Sequence, residues 1–323
     1  MPQWSGLSGE GRLDSGAMTY APNALLARGR LALNRRVLRG LMGQAGNRFM
    51  ELSEQLLGEE LDAKVARIQL QRNEVGFDPF GFDPAVARYG LACAAYLHRM
   101  YFRTQVYGIG NVPAKRALIV ANHSGQIPLD AVLLTAALML DVDPPRFARS
   151  MVEKWTATLP FISFLYPRFG QVLGAQDNAR RLLEQESTLL VFPEGVDGIA
   201  KTYQQRYQLQ AFGLGFMRLA LRTNTPIVPT AIIGGEEQYI SVANLKKVGK
   251  MLRMPALPVL PQMLLGMPLP LPTKYRIHFG TPMTFVGDSD DDDASIAQKV
   301  AQVRSKVNEL VQEGLKKRQG IFW

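Results

Sequence analysis

The chain has 323 residues, 47% of them hydrophobic and 20% charged, which suits one large α/β domain with an appendage, or two domains. Its one cysteine, Cys93, excludes an internal disulfide and fits a reducing compartment. The absence of any run of about 18 uncharged apolar residues excludes a conventional transmembrane helix. The formal net charge of +9 points to an anionic partner: nucleic acid, an anionic membrane or a phosphorylated substrate.

The N-terminal stretch MPQWSGLSGEGRLDSG lacks the charged-then-apolar pattern of a signal peptide. Residues 1–23, rich in Gly and Ser, are expected to be a flexible tail. Residues 24–75 read as helices, with Leu38, Leu41, Met42, Ala45, Phe49, Leu52 and Leu56 recurring at spacings of three and four. Between Ser15 and Met50 there is no acidic residue, whereas Arg28, Arg30, Arg35, Arg36, Arg39 and Arg48 all fall there. Such a basic amphipathic region fits an anionic lipid surface. It equally fits a helix packed on the main domain with its arginines in water, and the stripe alone does not separate the two. The GFDPFGFDP segment at 76–84, with two Asp-Pro steps, reads as a linker that closes this 24–84 region.

From residue 85 to 290 the pattern alternates. A helix is predicted from Ala85 to Phe102, an extended segment from Val106, and a short buried strand over Ala117–Ala121. Helix 130–140 follows with Asp130 near its start, where the helix dipole favours a carboxylate. A strand over Arg146–Met151, a helix over Ala179–Glu186, a strand over Thr188–Phe192, a helix over Ala211–Thr223 and strands over Ile227–Ile233 and Lys274–Phe279 complete it. Strands alternating with helices predict an α/β sheet with flanking helices. Residues 255–272 carry six prolines among Leu and Met and read as an apolar surface loop. Five aspartates between Asp288 and Asp293 then precede a C-terminal helix within 291–323, from Ala294 to about Lys317. Its apolar stripe is Ile296, Val300, Val303, Val307, Leu310 and Leu315, and its last turn is basic.

One segment carries recognisable chemistry: Ala121-Asn122-His123-Ser124-Gly125-Gln126-Ile127-Pro128-Leu129-Asp130. A buried strand delivers a histidine into a loop, and a carboxylate follows at a helix start. Catalytic groups of α/β sheets gather at such strand ends. A hydroxyl attacks a thioester poorly unless a base takes its proton, which a neutral imidazole can do. A carboxylate on the other ring nitrogen fixes the tautomer and stabilises the imidazolium. The same spacing also fits a buried histidine beside a carboxylate that only caps the helix. Two further segments end strands at the same edge: Phe192-Pro193-Glu194-Gly195, and Ile227-Val228-Pro229 running into Gly234-Gly235-Glu236-Glu237.

Together these segments resemble the glycerolipid acyltransferase superfamily, which contains the glycerol-3-phosphate and lysophosphatidate acyltransferases. The resemblance spans roughly residues 100–285. It implies O-acyl transfer from acyl-CoA or acyl carrier protein to a lipid hydroxyl, with no metal or other cofactor. By the same resemblance His123 is the general base and Asp130 its partner. Glu194, Gly195, Ser124, Gly125, Lys201 and Arg206 are expected to meet substrate. Two features depart from the family pattern. Six residues, rather than four, separate His123 from Asp130, as in the monoacylglycerol and diacylglycerol acyltransferase branch. The stretch Phe169–Ala175 lacks the family's phosphate-handling arginine, and Asp197 sits near another position that often carries one. Lys154, Arg168, Arg180, Lys201 and Arg206 could substitute for it, or be solvated surface charges.

The implied setting is cytoplasmic, peripherally bound to the inner face of an anionic membrane. An alternative is a catalytically inactive membrane-binding protein of the same fold. Nucleic acid is not an expected partner: charge alone suggests it, and the arginines interleave with Leu rather than with stacking aromatics. His98, His278 and Cys93 read as packing residues. No His/Cys cluster has zinc spacing, and no P-loop, dinucleotide fingerprint or nucleophile elbow occurs.

Overall fold

Short apolar runs align side by side in the computed structural model, which describes residues 58–68, 78–123, 128–153, 162–245, 257–266 and 269–323. In chain order the strands are β1 (Gln105–Tyr107), β2 (Ala117–Ala121), β3 (Ala148–Val152), β4 (Val172–Leu173), β5 (Thr188–Val191), β6 (Ile227–Ile233), β7 (Ala243–Asn244), β8 (Pro258–Val259) and β9 (Arg276–Phe279). The helices are α1 (Pro84–Tyr96), α2 (Leu129–Leu140), α3 (Ile162–Arg168), α4 (Gln176–Glu184), α5 (Gly195–Ile199), α6 (Gly215–Thr223), α7 (Pro261–Leu264) and α8 (Asp293–Lys317). Seven strands form one sheet in the order β1-β9-β6-β2-β5-β3-β4. Strands β6, β2, β5, β3 and β4 run parallel, β9 is antiparallel to β6, and β1 is parallel to β9.

The central strands read as unbroken apolar runs because helices cover both faces of the sheet. All five residues of β2 and all seven of β6 are buried. Successive side chains alternate between faces. Leu118 and Val120 join the cluster that holds Ile296, Val300, Val303, Val307 and Val311 of α8. Ala117, Ile119 and Ala121 join the opposite cluster with Leu133, Leu134, Ala137 and Leu138 of α2. Pro229 sits within central β6, where a missing N–H would break a ladder. Its carbonyl accepts from Gly280 N–H at 2.8 Å, just past the end of β9, so the absent donor falls where the regular antiparallel ladder has ended.

Several expected boundaries shift. The helix expected from Ala85 begins at Pro84, capped by Asp83, and passes into a π-helical turn at Leu97–Tyr101. The 76–84 segment is not a loose tether over its described part. Asp78 is buried, accepts from the Phe80 and Phe82 N–H groups, and pairs with Arg149 of β3. The loop expected over 255–272 is corrected in its described part: β8 pairs with β7, and α7 follows on Pro261. Residues 58–66 are helical, and the cluster around Leu61 includes Leu91 and Ala95. The tail 1–23, the arginines between 28 and 48 and most of the 24–84 region lie outside the described residues.

The C-terminal helix α8 packs across the sheet, with Asp292 as its N-cap and Lys316 and Lys317 in its last turn. Its buried stripe ends on Val311 and Gly314, whereas Leu310 and Leu315 are only partly buried. Gly314 lets the helix pack tightly on the sheet: a Cβ there would collide with Ile233 and lie 2.8 Å from His278 Nε2. Gly314→Val is expected to lower stability by about 1–3 kcal/mol through overpacking. Denaturant unfolding checks this; a variant as stable as the parent would show that the contact yields freely.

Candidate active site

The parallel strands β2, β5 and β6 end side by side, and their C-terminal ends supply the site. Asn122, the residue after β2, is fully buried. Its side chain donates to Ile232 O at 3.0 Å and accepts from Ile232 N at 2.7 Å. The amide therefore acts as one more rung between β2 and β6 and fixes where the next residue points. That residue is His123. Its Nδ1 lies 2.7 Å from Asp130 Oδ2, and its ring stacks on Phe192 at 4.3 Å and 17°. Asp130 is fully buried at the start of α2 and also accepts from Ala131 N. The six-residue gap thus brings the two side chains together, while the His123 side chain stays 16% exposed. An ionised carboxylate only accepts, so Nδ1 donates and Nε2 is the nitrogen that can take a proton.

Glu194 follows the end of β5 and is buried. One carboxylate oxygen accepts from the His123 main-chain N–H at 3.0 Å. The other accepts from Lys201 Nζ at 3.3 Å and Gln210 N at 2.8 Å. Glu194, also expected to meet substrate, braces the backbone that carries His123. Gly195 adopts φ +54, a left-handed conformation that turns the chain into α5. Gly198 packs so closely that a Cβ there would lie 2.8 Å from His123 Cβ and 2.9 Å from Glu194 Cβ.

Lys201 is no surface charge. It is buried and also donates to Glu236 Oε1 at 3.0 Å. Arg206 is half-buried, 4.3 Å over the Tyr203 ring and 4.0 Å from Glu237. Ser124, Gly125 and Lys154 lie outside the described residues. Arg168 bonds Phe164 O and covers its ring, and Arg180 pairs with Glu184, so both are occupied within their own helices. Cys93, expected in the core, is exposed. His278 is buried in β9 and stacks on Tyr107 at 4.5 Å. His98 is buried too, but it forms a second His–Asp pair, Nε2 to Asp141 Oδ2 at 2.9 Å, at the far end of α2. Its Nδ1 is buried without a hydrogen-bond partner among the described residues.

The sequence reading missed a buried polar network beyond the glycine turn. Glu236 Oε2 accepts from Tyr207 N at 2.9 Å, and Glu237 is held by Tyr207 OH at 2.8 Å and by both close approaches of Arg318 Nη1, at 2.7 and 2.8 Å. In the sequence the two carboxylates next to Gly234-Gly235 are no more than part of a tight turn; partners far along the chain, Lys201 and Arg318, are what allow their burial. Burial raises the Glu236 carboxyl to about 7, against the opposing pull of Lys201. Burial, then the charge of Asp130, pushes the Tyr275 phenol well above its usual value. A small pocket opens on Lys201 and Glu236, with Tyr203, Tyr239 and Ser241 on its wall. Among the described residues no group of three His, Cys, Asp or Glu side chains could hold a metal ion, and no helix is long and apolar enough to cross a membrane.

The acyltransferase family model matches residues 103–233. An uncharacterised protein of Mycobacterium tuberculosis is 34% identical over 278 residues, spanning 82% of this chain and 77% of the relative. One of Mycobacterium leprae is 35% identical over 275 residues, spanning 81% and 74%. A Mycoplasma pneumoniae protein named as a probable 1-acyl-sn-glycerol-3-phosphate acyltransferase is 28% identical over 145 residues, 42% of this chain and 52% of that one. The crystal structure of a 1-acyl-sn-glycerophosphate acyltransferase from Thermotoga maritima aligns at a TM-score of 0.48 and 17% identity, covering 88% of this chain and 99% of that one. The chain belongs to the glycerolipid acyltransferase superfamily.

The raised Glu236 carboxyl makes a thermodynamic prediction. The folded protein keeps a proton there that the unfolded chain releases between about pH 4.5 and 7. Stability from this group is therefore lost as pH rises through that window and is flat above it. Glu236→Gln should remove the slope, which amounts to up to about 3 kcal/mol. Melting temperatures of both proteins across this range check it; parallel curves would contradict it.

Proposed function

We propose that the protein transfers a fatty acyl group from acyl-CoA or an acyl carrier protein to a hydroxyl of a glycerolipid or lysophospholipid. The observation that carries this reading is the His123–Asp130 pair, 2.7 Å apart at the C-terminal edge of the sheet with the ring partly open. The acceptor oxygen attacks the thioester carbonyl carbon as Nε2 takes its proton. The tetrahedral intermediate collapses, the C–S bond breaks, and the imidazolium returns the proton to the leaving sulfur. An ester and a free thiol result. Asp130 holds the tautomer and stabilises the imidazolium. Glu194 positions the His123 backbone, one oxygen accepting the His123 N–H and the other accepting from Lys201 and Gln210.

Incubation of labelled acyl-CoA and acyl carrier protein with a panel of lysophospholipids and acylglycerols, read by mass spectrometry, tests the activity and identifies the acceptor. His123→Ala should cut turnover by a factor on the order of 100 or more with folding preserved. Near-normal turnover in the folded variant would remove His123 from the chemistry. No product from any pair would favour the inactive membrane-binding alternative.

The protein acts as a peripheral enzyme on the inner, anionic face of a membrane, held by the arginines of the acid-free stretch between Ser15 and Met50. Replacing Arg35, Arg36 and Arg39 by Gln should weaken binding to anionic vesicles at low salt and leave binding to neutral vesicles unchanged. Equal flotation of both proteins with anionic vesicles would assign these residues to another task.

A further inference from the structure

We propose that Lys201 is a positioning residue for the His123 centre, a cationic clamp that ties the backbone carrying His123 to the end of β6 through Glu194 and Glu236. This rests on the acyl-transfer reading of His123 given above.

The path is continuous. The His123 N–H donates to Glu194 Oε1 at 3.0 Å, and Lys201 Nζ donates to Glu194 Oε2 at 3.3 Å and to Glu236 Oε1 at 3.0 Å. Glu236 is anchored in turn by the Tyr207 N–H at 2.9 Å. The Lys201, Glu194 and Glu236 side chains are each 4% exposed or less. A buried cation between two carboxylates is a poor device for stability, since a well-packed apolar side chain often serves as well. What it adds is geometry: one ammonium can donate to two carboxylates arriving from different strand ends. Remove it and two carboxylates face each other in a dry site, where like charges cannot both remain. The strain has few outlets. Gly198 abuts both His123 and Glu194 too closely to accept even a Cβ, and beyond Glu236 the neighbouring Glu237 is already committed to Tyr207, Arg318 and Arg206. Either response, a proton taken up by one carboxylate or a movement of one away from the other, changes what Glu194 Oε2 meets, and through Glu194 it reaches the His123 main chain.

The test compares the full-length parent, Lys201→Met and Lys201→Met/Glu236→Gln. Acyl transfer and the downfield proton resonance of the His123 Nδ1–H, assigned by its loss in Asp130→Ala, are read together. Lys201→Met is expected to lower kcat at least tenfold with KM for the acyl donor within about twofold, and to shift or broaden the resonance. Adding Glu236→Gln removes the like charge and should recover a substantial part of both effects, which a merely structural loss would not. An unmoved resonance, or a kcat loss that Glu236→Gln leaves untouched, overturns the proposal. If Lys201→Met does not fold, Lys201→Arg takes its place: it keeps the charge but replaces a point donor by a planar fork. Its resonance must move while its melting temperature holds, and an unmoved resonance is again decisive. The resonance is independent of turnover. A parent that transfers no acyl group therefore sinks the functional reading, whereas an unmoved resonance sinks the clamp.

Discussion

A parallel ladder fixes its strands only as far as the last rung, and everything at this site depends on what happens just beyond it. The decisive tie is the hydrogen bond from the His123 N–H to Glu194, which joins the chain leaving β2 to the chain leaving β5. On the other side of β2, the Asn122 amide exchanges both of its hydrogen bonds with Ile232 of β6. Side chains thus continue the sheet for one residue after its backbone pairing has ended. His123 stands on that extension, with its ring free to meet Asp130 and Phe192. A histidine on an untethered loop would lose this orientation, and orientation is much of what a general base contributes.

The distribution of charge separates two tasks. The net charge of +9 is carried in part by the arginines between residues 28 and 48, far in sequence from the site. Around His123 the balance is different. Lys201 lies between Glu194 and Glu236, and Arg318 is engaged by Glu237. These cations are already compensated by buried carboxylates, so they answer to the architecture of the strand ends before any ligand arrives. The basic stretch suits attraction to a surface, where long-range charge acts; the buried pairs suit local geometry.

Helix α2 provides an internal comparison. It carries a His–Asp pair at each end, His123–Asp130 and His98–Asp141, with nearly the same separation. At the first, the carboxylate is fully buried and the histidine is partly open. At the second, the histidine is the buried partner and the aspartate reaches solvent. The pairing chemistry is the same and the accessibility is reversed. A base must present its second nitrogen to the reactant, and the ring of His98 is turned inward.

The sequence alone determined the alternation of strands and helices, since short, largely apolar runs such as 117–121 and 227–233, bounded by turn residues, fit strands covered on both faces. It also determined that His123 follows a strand and Asp130 begins a helix, because those positions follow from local pattern. Residues whose meaning lies in distant partners stayed hidden. Lys201 read as a substrate contact or a surface charge, Glu236 and Glu237 as no more than part of a tight turn, and the brace that Glu194 gives the His123 backbone could not be read at all. Their burial is possible only because partners from β2, β6 and the residue after α8 converge on them. Gly314 was likewise unreadable: a helix glycine gains its purpose only when Ile233 and His278 of the sheet come to lie beneath it. Periodicity along a chain reports which face is apolar. Charge compensation and close approach are settled between segments far apart in sequence, so only the tertiary structure decided them.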